Sequence, residues 1–309
     1  MSDYHQAICP LCGKSSTSFW ATARDIEYFT PTGTFDFRRC EACDVLFITP
    51  MLRDALQTIY PKNYYSFVGQ KPSLVQRIKQ ALDRHAFRAV SAKIPGQDLA
   101  ALDVGGGSGW LLDQLRLVDN RFTYTCVVDI DARAGTLAEA AGHGFALGSI
   151  ESFSANRPFD LIFMLNLIEH VADPGSVLCK AADMLSPDGR LFLKTPNFDA
   201  LDARLFRHRS WGGLHTPRHF VLFTRESLVE LCRRSGLEVV SFNYTQGAPF
   251  WSVSTLDFLR RMGLVKVDAE HPAITHPLIP FLQAMFAAFD FIRRPFAKLS
   301  QMELVLRKA

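Results

Sequence analysis

The stretch Ala101-Leu102-Asp103-Val104-Gly105-Gly106-Gly107-Ser108-Gly109 decides the fold. An apolar strand pattern runs into a glycine loop, and a helix pattern starts at Trp110 or Leu111. Glycines allow the tight turn and let a ligand lie against the backbone. The dinucleotide pattern G-x-G-x-x-G, begun at Gly105 and Gly107, would need glycine where Trp110 stands, and no lysine follows for a phosphate loop. Asp129 ends the next apolar run, twenty positions after Gly109, where a carboxylate accepts both hydroxyls of a ribose. The combination suits a nucleoside ligand without a pyrophosphate. A glycine turn with a purely structural role is the plain alternative.

Strands and helices alternate from Leu99 onward. Strand patterns cover Ala100–Val104, Tyr124–Asp129, Leu161–Leu165, Arg190–Thr195 and Leu237–Tyr244. Helical patterns cover Leu111–Leu117, Ala132–Ala141, Pro174–Leu185 and Arg225–Ser235. Such alternation predicts right-handed βαβ units in a mostly parallel sheet, with ligands beyond the carboxyl ends of its strands. Upstream, Ser73 to Ile94 predicts a helix capped by Ser73, whose other face carries Arg77, Lys79, Arg84, Arg88 and Lys93. That face reads as a solvated surface or as one turned to anionic lipid.

The ordered set of motifs resembles the class I S-adenosylmethionine-dependent methyltransferases. Leu102-Asp103-Val104-Gly105-Gly106-Gly107-Ser108-Gly109 is similar to their first motif, and Val128-Asp129-Ile130-Asp131 to their acidic second-strand end. Gly148-Ser149-Ile150-Glu151, Phe159-Asp160-Leu161-Ile162 and Leu185-Ser186-Pro187-Asp188-Gly189-Arg190 follow in family order. The resemblance spans about Ala100 to Phe242 and implies a doubly wound, Rossmann-like, seven-stranded α/β sheet. It implies that Gly105, Gly107 and Asp129 hold the methionyl and ribose parts of S-adenosylmethionine and that Ile150 packs near adenine. Asp103, Gly109 and Asn166 complete the expected cofactor set. Met302 to Arg307 looks like the antiparallel last strand of that fold, which makes residues 249–300 an insertion.

Cys9-Pro10-Leu11-Cys12 and Cys40-Glu41-Ala42-Cys43 have tetrahedral zinc spacing, and the twenty-seven residues between them can form the hairpin of a zinc ribbon. A structural, non-catalytic zinc on Cys9, Cys12, Cys40 and Cys43 is the expectation; a redox pair or unpaired thiols are the alternatives. Cys126, Cys179 and Cys232 stand in apolar segments and read as buried thiols of a reducing compartment. The expected organisation is a ribbon over 1–50, a connecting arm and helix over 51–98, the methyltransferase core over 99–248, an apolar helical insertion over 249–300 and the last core strand over 301–309. The ribbon with the arm segment Tyr60-Pro61-Lys62-Asn63-Tyr64-Tyr65 resembles sugar methyltransferases of antibiotic and envelope-polysaccharide pathways.

Methyl transfer to a sugar hydroxyl or an acidic C–H needs alignment and a base near the proton, with oxygen the expected atom and carbon the alternative. Asn166-Leu167-Ile168-Glu169-His170 resembles the E-x-x-E-H metal segment of ubiquinone-biosynthesis O-methyltransferases, with Asn166 in the first acidic position. Glu169 and His170 are candidates for catalysis or substrate contact, or they shape the loop. Trp211-Gly212-Gly213-Leu214-His215-Thr216-Pro217-Arg218-His219-Phe220 resembles a segment of the envelope-polysaccharide relatives. His215 or His219 is a candidate base, with Trp211 and Arg218 expected on the acceptor; a structural loop is the rival.

Net charge +3, from 34 Lys and Arg against 31 Asp and Glu, gives no support for nucleic acid as partner. With 48% apolar and 21% charged residues the chain is globular rather than disordered. The N-terminal MSDYHQAICP lacks an apolar run, and the longest apolar stretch, Leu278 to Phe289, is interrupted by Pro280 and Gln283, so a cytoplasmic protein is expected. The aromatic insertion between Phe250 and Arg294 reads as a peripheral membrane contact over 249–294, a cover for a lipid-like substrate, or a packed lid. The expected activity is methyl transfer to a sugar or small metabolite, nucleotide- or lipid-linked. RNA methylation and a non-catalytic scaffold are the rivals.

Overall fold

In a computed structural model, residues 7–53, 55–60, 74–208 and 211–309 are described. The chain order is β1 (Thr17–Arg24), β2 (Thr34–Cys40), β3 (Val45–Thr49), α1 (Leu56–Ile59), α2 (Leu74–Ser91), β4 (Leu99–Val104), α3 (Trp110–Val118), β5 (Phe122–Asp129), α4 (Ala132–Ala140), β6 (Gly144–Leu147), β7 (Phe159–Leu165), α5 (Pro174–Met184), β8 (Leu185–Pro196), α6 (Leu201–Phe206), β9 (Val221–Phe223), α7 (Arg225–Arg234), β10 (Leu237–Thr245), α8 (Ala248–Arg261), α9 (Ile279–Arg293) and β11 (Gln301–Lys308). The expected arm motif from Pro61 to Tyr65 and the Ser73 cap lie outside the described residues.

The main sheet has seven strands in the order β10-β11-β8-β7-β4-β5-β6. Strands β6, β5, β4, β7 and β8 are parallel, and β11 runs antiparallel between β8 and β10. Every residue of β4 is buried, as expected of a central parallel strand covered on both faces. Alternation along the strands divides the core. Ala100, Leu102, Ile162 and Leu193 pack on one face of the sheet; Ala101, Leu161, Phe163 and Phe192 pack on the other. This is the mostly parallel sheet that the alternating pattern predicts and the doubly wound, seven-stranded sheet that the resemblance implies. The short strands β6 and β9 and the helix α6 were not expected from sequence, because each is too brief to show a period.

The N-terminal sheet has the order β1-β2-β3-β9. Its last strand comes from the core: Val45, Leu46 and Phe47 pair with Phe223, Leu222 and Val221. Phe37, Leu46 and Ile48 share one apolar cluster with Leu222 and Phe223. The unit expected over 1–50 therefore shares a sheet and an apolar cluster with the core. Burial of these aliphatic and aromatic side chains, at about 1.5–3 kcal/mol each, gives that junction its stability.

In the insertion, α8 buries Trp251, Val253 and Leu256; Val253 lies against Gly212 and Trp251 edge-on to Phe206, while Leu256 packs within the insertion. Helix α9 packs along it through Ile279 and Leu282, and Trp251 stacks on Phe286 with centroids 5.1 Å apart. The outer face of α9 leaves Phe281, Met285, Phe289 and Ile292 exposed. No helix among the described residues is long and apolar enough to cross a membrane. One cysteine departs from expectation: Cys126 and Cys232 are buried, but Cys179 is exposed. Helix α5 turns Val177, Leu178, Ala181 and Ala182 inward, which puts Cys179 on the opposite face.

Candidate active site

The glycine loop joins β4 to α3 at the carboxyl end of the sheet. Gly105, Gly107 and Gly109 have φ of 71°, 55° and 78°, the left-handed region that glycine enters without strain. A Cβ on Gly109 would lie 2.4 Å from His143 Cδ2, so this glycine also lets the loop close on its neighbour. Nothing lies within 4 Å of the position a Cβ on Gly107 would take, so the backbone there faces open space. Gly107 N donates to Asp129 Oδ2 at 2.9 Å, and Asp131 N donates to Oδ1 at 2.8 Å. Each oxygen of this partly exposed carboxylate keeps a further lone pair for an incoming hydroxyl.

Asp103 is buried beneath the loop, and its Oδ2 has no hydrogen-bond partner. Burial, with the Asp129 charge as a smaller cause, pushes its carboxyl up to about 8. An orphaned buried acceptor, an open glycine backbone and a ribose-type carboxylate together fit S-adenosylmethionine. Asn166 ends β7 with φ 53°, and its Oδ1 accepts from Gln301 Nε2 at 3.1 Å. Ile150 is buried in the main core, in the turn after β6.

Beside the loop, Leu167 lies against Gly105, 3.0 Å from where its Cβ would be. Glu169 and His170 follow in a short 3-10 turn, Ile168–His170. Phe220 N donates to the Glu169 carbonyl at 2.7 Å and ties the Trp211–Phe220 loop to this end of β7. Helix α8 props the loop from the other side, because Gly212 N donates to Ser254 Oγ at 2.8 Å. His170, His215 and His219 converge there: ring centroids are 4.6 Å apart for His170–His219, 5.0 Å for His215–His219 and 6.0 Å for His170–His215.

The hydrogen bonds assign two of the tautomers. His219 Nδ1 lies 2.8 Å from the Gly213 carbonyl and His170 Nδ1 lies 3.0 Å from the Arg218 carbonyl. A carbonyl only accepts, so Nδ1 is the donor in both rings and Nε2 keeps its lone pair. Burial holds His219 well below 6.5, and burial followed by the His215 charge brings His170 to about 3. Both rings are therefore neutral near pH 7, the form that accepts a proton. Glu169 is fully buried; Thr195 Oγ1 donates to its Oε2 at 2.8 Å, while Oε1 has no hydrogen bond and lies 3.9 Å from His219 Nε2. Burial pushes this carboxyl up to about 8 against the Thr195 hydrogen bond. Ligand-type atoms of Glu169, His170 and His219 lie within 4.8 Å of one another, but burial that favours a neutral carboxyl works against a cation there.

Two expected acceptor contacts need correction. Trp211 is 1% exposed, and its Nε1 donates to Asp202 Oδ2 at 2.7 Å. Arg218 is fully buried; its Nη2 donates to Asp25 Oδ2 at 2.8 Å, and its guanidinium lies over the Tyr28 ring at 4.7 Å. Neither presents a group to an acceptor, because aromatic packing and an internal carboxylate already engage both.

Residues of the β1–β2 turn were missed from sequence. Asp25 accepts from Glu27 N, Tyr28 N, Thr30 N and Thr30 Oγ1 at 3.0, 2.9, 3.1 and 2.7 Å, as well as from Arg218. Burial opposes its charge, but Arg218 and these donors outweigh burial and bring it down to about 2. Glu27 Oε1 lies 2.6 Å from His215 Nδ1. Tyr60 Oη lies 3.0 Å from His170 Nδ1. An acid-rich turn was visible in Asp25-Ile26-Glu27, but nothing local links it to histidines some 190 positions away.

At the N-terminus the four cysteines meet. Sγ distances are 3.5 Å for Cys9–Cys43, 3.5 Å for Cys12–Cys40 and 3.7 Å for Cys12–Cys43. A tetrahedron with Zn–S bonds of about 2.3 Å has sulfur separations of about 3.8 Å, so the donor set fits zinc.

A family model for a methyltransferase domain matches residues 74–242. A ubiquinone biosynthesis O-methyltransferase of Caulobacter vibrioides is 33% identical over 129 residues, covering 38% of this chain and 49% of the relative. One of Cereibacter sphaeroides is 26% identical over 207 residues, covering 60% of this chain and 80% of the relative. The chain spans about half the length of the Caulobacter protein. Among solved structures, coclaurine N-methyltransferase bound to N-methylheliamine and SAH is similar with a TM-score of 0.52 at 14% identity, covering 78% of this chain and 76% of that one. At that identity the likeness speaks for the fold.

Proposed function

The chain belongs to the methyltransferase-domain family, and from that premise we propose that it moves the methyl group of S-adenosylmethionine to a hydroxyl of a small-molecule acceptor. One observation carries this reading: the open Gly107 backbone, Asp129 and the orphaned Asp103 lie next to a cluster of three imidazoles, with His170 and His219 neutral, at the same end of the sheet. S-adenosylmethionine supplies an activated methyl on a sulfonium. Gly105, Gly107 and Gly109 set the backbone against it, Asp129 accepts from the ribose hydroxyls, and Asp103 and Asn166 flank the methionyl part. Ile150 would form the apolar floor under adenine.

The protein's remaining task is to orient the acceptor oxygen and take its proton. His215 is our choice of base, because its Nδ1 is held by Glu27 and its ring lies beside those of His170 and His219. His219 and His170 line the same cluster as neutral neighbours, and the buried Glu169 shapes the floor beneath them. The four cysteines hold a structural zinc; a filled thiolate shell leaves it no open position for chemistry.

For the acceptor we favour a sugar or other small metabolite, nucleotide- or lipid-linked. The names of the relatives support a small acceptor, and the exposed apolar side chains of α9 support a lipid-like one. That helix is also our candidate contact with the inner face of a membrane. Pelleting with anionic phospholipid vesicles tests it: Phe281→Glu with Phe289→Glu should abolish binding, and a wild-type protein that stays in solution removes the contact.

Calorimetry with S-adenosylhomocysteine on wild type and Asp129→Ala comes first. Binding that falls at least tenfold in the variant supports the pocket. Radiolabelled methyl transfer to sugar, lipid-linked and RNA acceptors then names the class. Absence of binding to wild type would favour the scaffold reading.

A further inference from the structure

Glu27 stands on the turn between β1 and β2, in the metal-bearing half of the molecule, yet its carboxylate meets His215 at 2.6 Å. The contact crosses from the N-terminal sheet to the loop that α8 and β7 hold in place. Both residues are buried, at 8% and 9% exposure, so the pair is screened from water. Two further features fix it. His215 itself has φ 39°, a left-handed conformation that a histidine adopts only when its surroundings impose it. Asp25 gathers the N–H groups of Glu27, Tyr28 and Thr30 and then binds Arg218, so the turn carrying Glu27 is clamped to the loop carrying His215.

We propose that Glu27 is the positioning carboxylate for His215: it accepts a hydrogen bond from Nδ1–H, fixes that tautomer and leaves Nε2 as the proton acceptor of the site. The proposal rests on the reading of His215 as base. An ionised carboxylate has only acceptor capacity, so the shared proton belongs to Nδ1. The same partner stabilises the imidazolium that forms when Nε2 takes a proton, as the buried aspartate does in a serine-protease triad. The N-terminal sheet then does more than hold zinc. It contributes a wall of the acceptor site, and its pairing through β9 sets the distance between Glu27 and His215.

Among the described residues, Glu27 and Tyr28 from the β1–β2 turn, His170 from the end of β7 and His219 from its own loop face the His215 ring, and Arg218 N donates to the His215 carbonyl at 2.8 Å. Long-range proton–nitrogen NMR of the imidazoles reads the tautomer directly and needs no acceptor. His215→Ala assigns the signal. In wild type the His215 resonances should show a protonated Nδ1 and an unprotonated Nε2. Glu27→Gln should shift them towards the other tautomer, and Glu27→Asp should retain part of the wild-type pattern. Zinc content and S-adenosylhomocysteine affinity should stay within twofold of wild type in all three variants. A wild-type Nε2–H tautomer, or a Glu27→Gln spectrum unchanged at His215, overturns the proposal. Loss of zinc in Glu27→Gln would instead assign the residue a purely structural role and equally overturn it. Failure of the base reading shows separately, as a His215→Ala protein that still transfers methyl to the acceptor found by the radiolabel screen.

Discussion

Alanine at Gly107 and at Gly109 should separate ligand binding from folding. Both glycines have positive φ, and an L-residue in that conformation costs about 1–2 kcal/mol. At Gly107 nothing lies within 4 Å of the new methyl, so the backbone conformation is the whole cost to the fold. At Gly109 the methyl would lie 2.4 Å from His143 Cδ2 and 3.0 Å from Nε2. That ring is buried and held by Thr125 Oγ1 at 2.7 Å from Nδ1, so it yields little. Overpacking adds about 1–3 kcal/mol, so Gly109→Ala should lose about 2–5 kcal/mol in all. Urea unfolding measures both, and His143→Ala in the Gly109→Ala background should recover the overpacking part. Calorimetry with S-adenosylhomocysteine should show the reverse ranking. The Gly107 methyl points into the ligand's space and should weaken binding more than tenfold, about 1.4 kcal/mol. Wild-type affinity in Gly107→Ala, or equal stability of the two variants, would refute this account of the loop.

Further expectations follow from the other buried groups. Asp25→Ala leaves the Arg218 guanidinium buried without its partner and should cost about 3–5 kcal/mol, of which Asp25→Ala with Arg218→Met recovers part; denaturant unfolding reports both. The zinc-loaded protein should bind one equivalent by metal analysis, and Cys9→Ser or Cys43→Ser should lose it and lower the melting temperature. Glu169 sits at about 8 when folded against a reference of 4.5, so the folded state keeps a proton that the unfolded chain releases. Its contribution to stability is therefore full below about pH 4.5 and lost as pH rises towards 8. Glu169→Gln should flatten that part of the melting-temperature profile between pH 5 and 8.

Much of the sheet was legible because its strands are buried on both faces and its helices carry a clear period. The β4 run, the glycine loop and Asp129 lie within one contiguous stretch, so their chemistry could be read in order. Zinc spacing was equally local within each Cys-x-x-Cys pair. The acceptor side was only half legible. His215 and His219 stood out in one segment, but Trp211 and Arg218 were misplaced because their partners, Asp202 and Asp25, are set by tertiary packing. Glu27 was invisible for the same reason. Strand β9, three residues long, has no periodicity of its own and exists because β3 offers it an edge.

That borrowed strand has a consequence for how the protein is made. Val45 pairs with Phe223, so the N-terminal sheet is completed only after most of the chain has left the ribosome. Until then β3 is an unpaired edge with Leu46, Phe47 and Ile48 in it, a surface that invites association with other nascent chains. Zinc captured early by the two cysteine pairs would hold β1 to β3 in register during that wait. The metal would then act first as a folding clamp, with its largest effect on the yield of native protein.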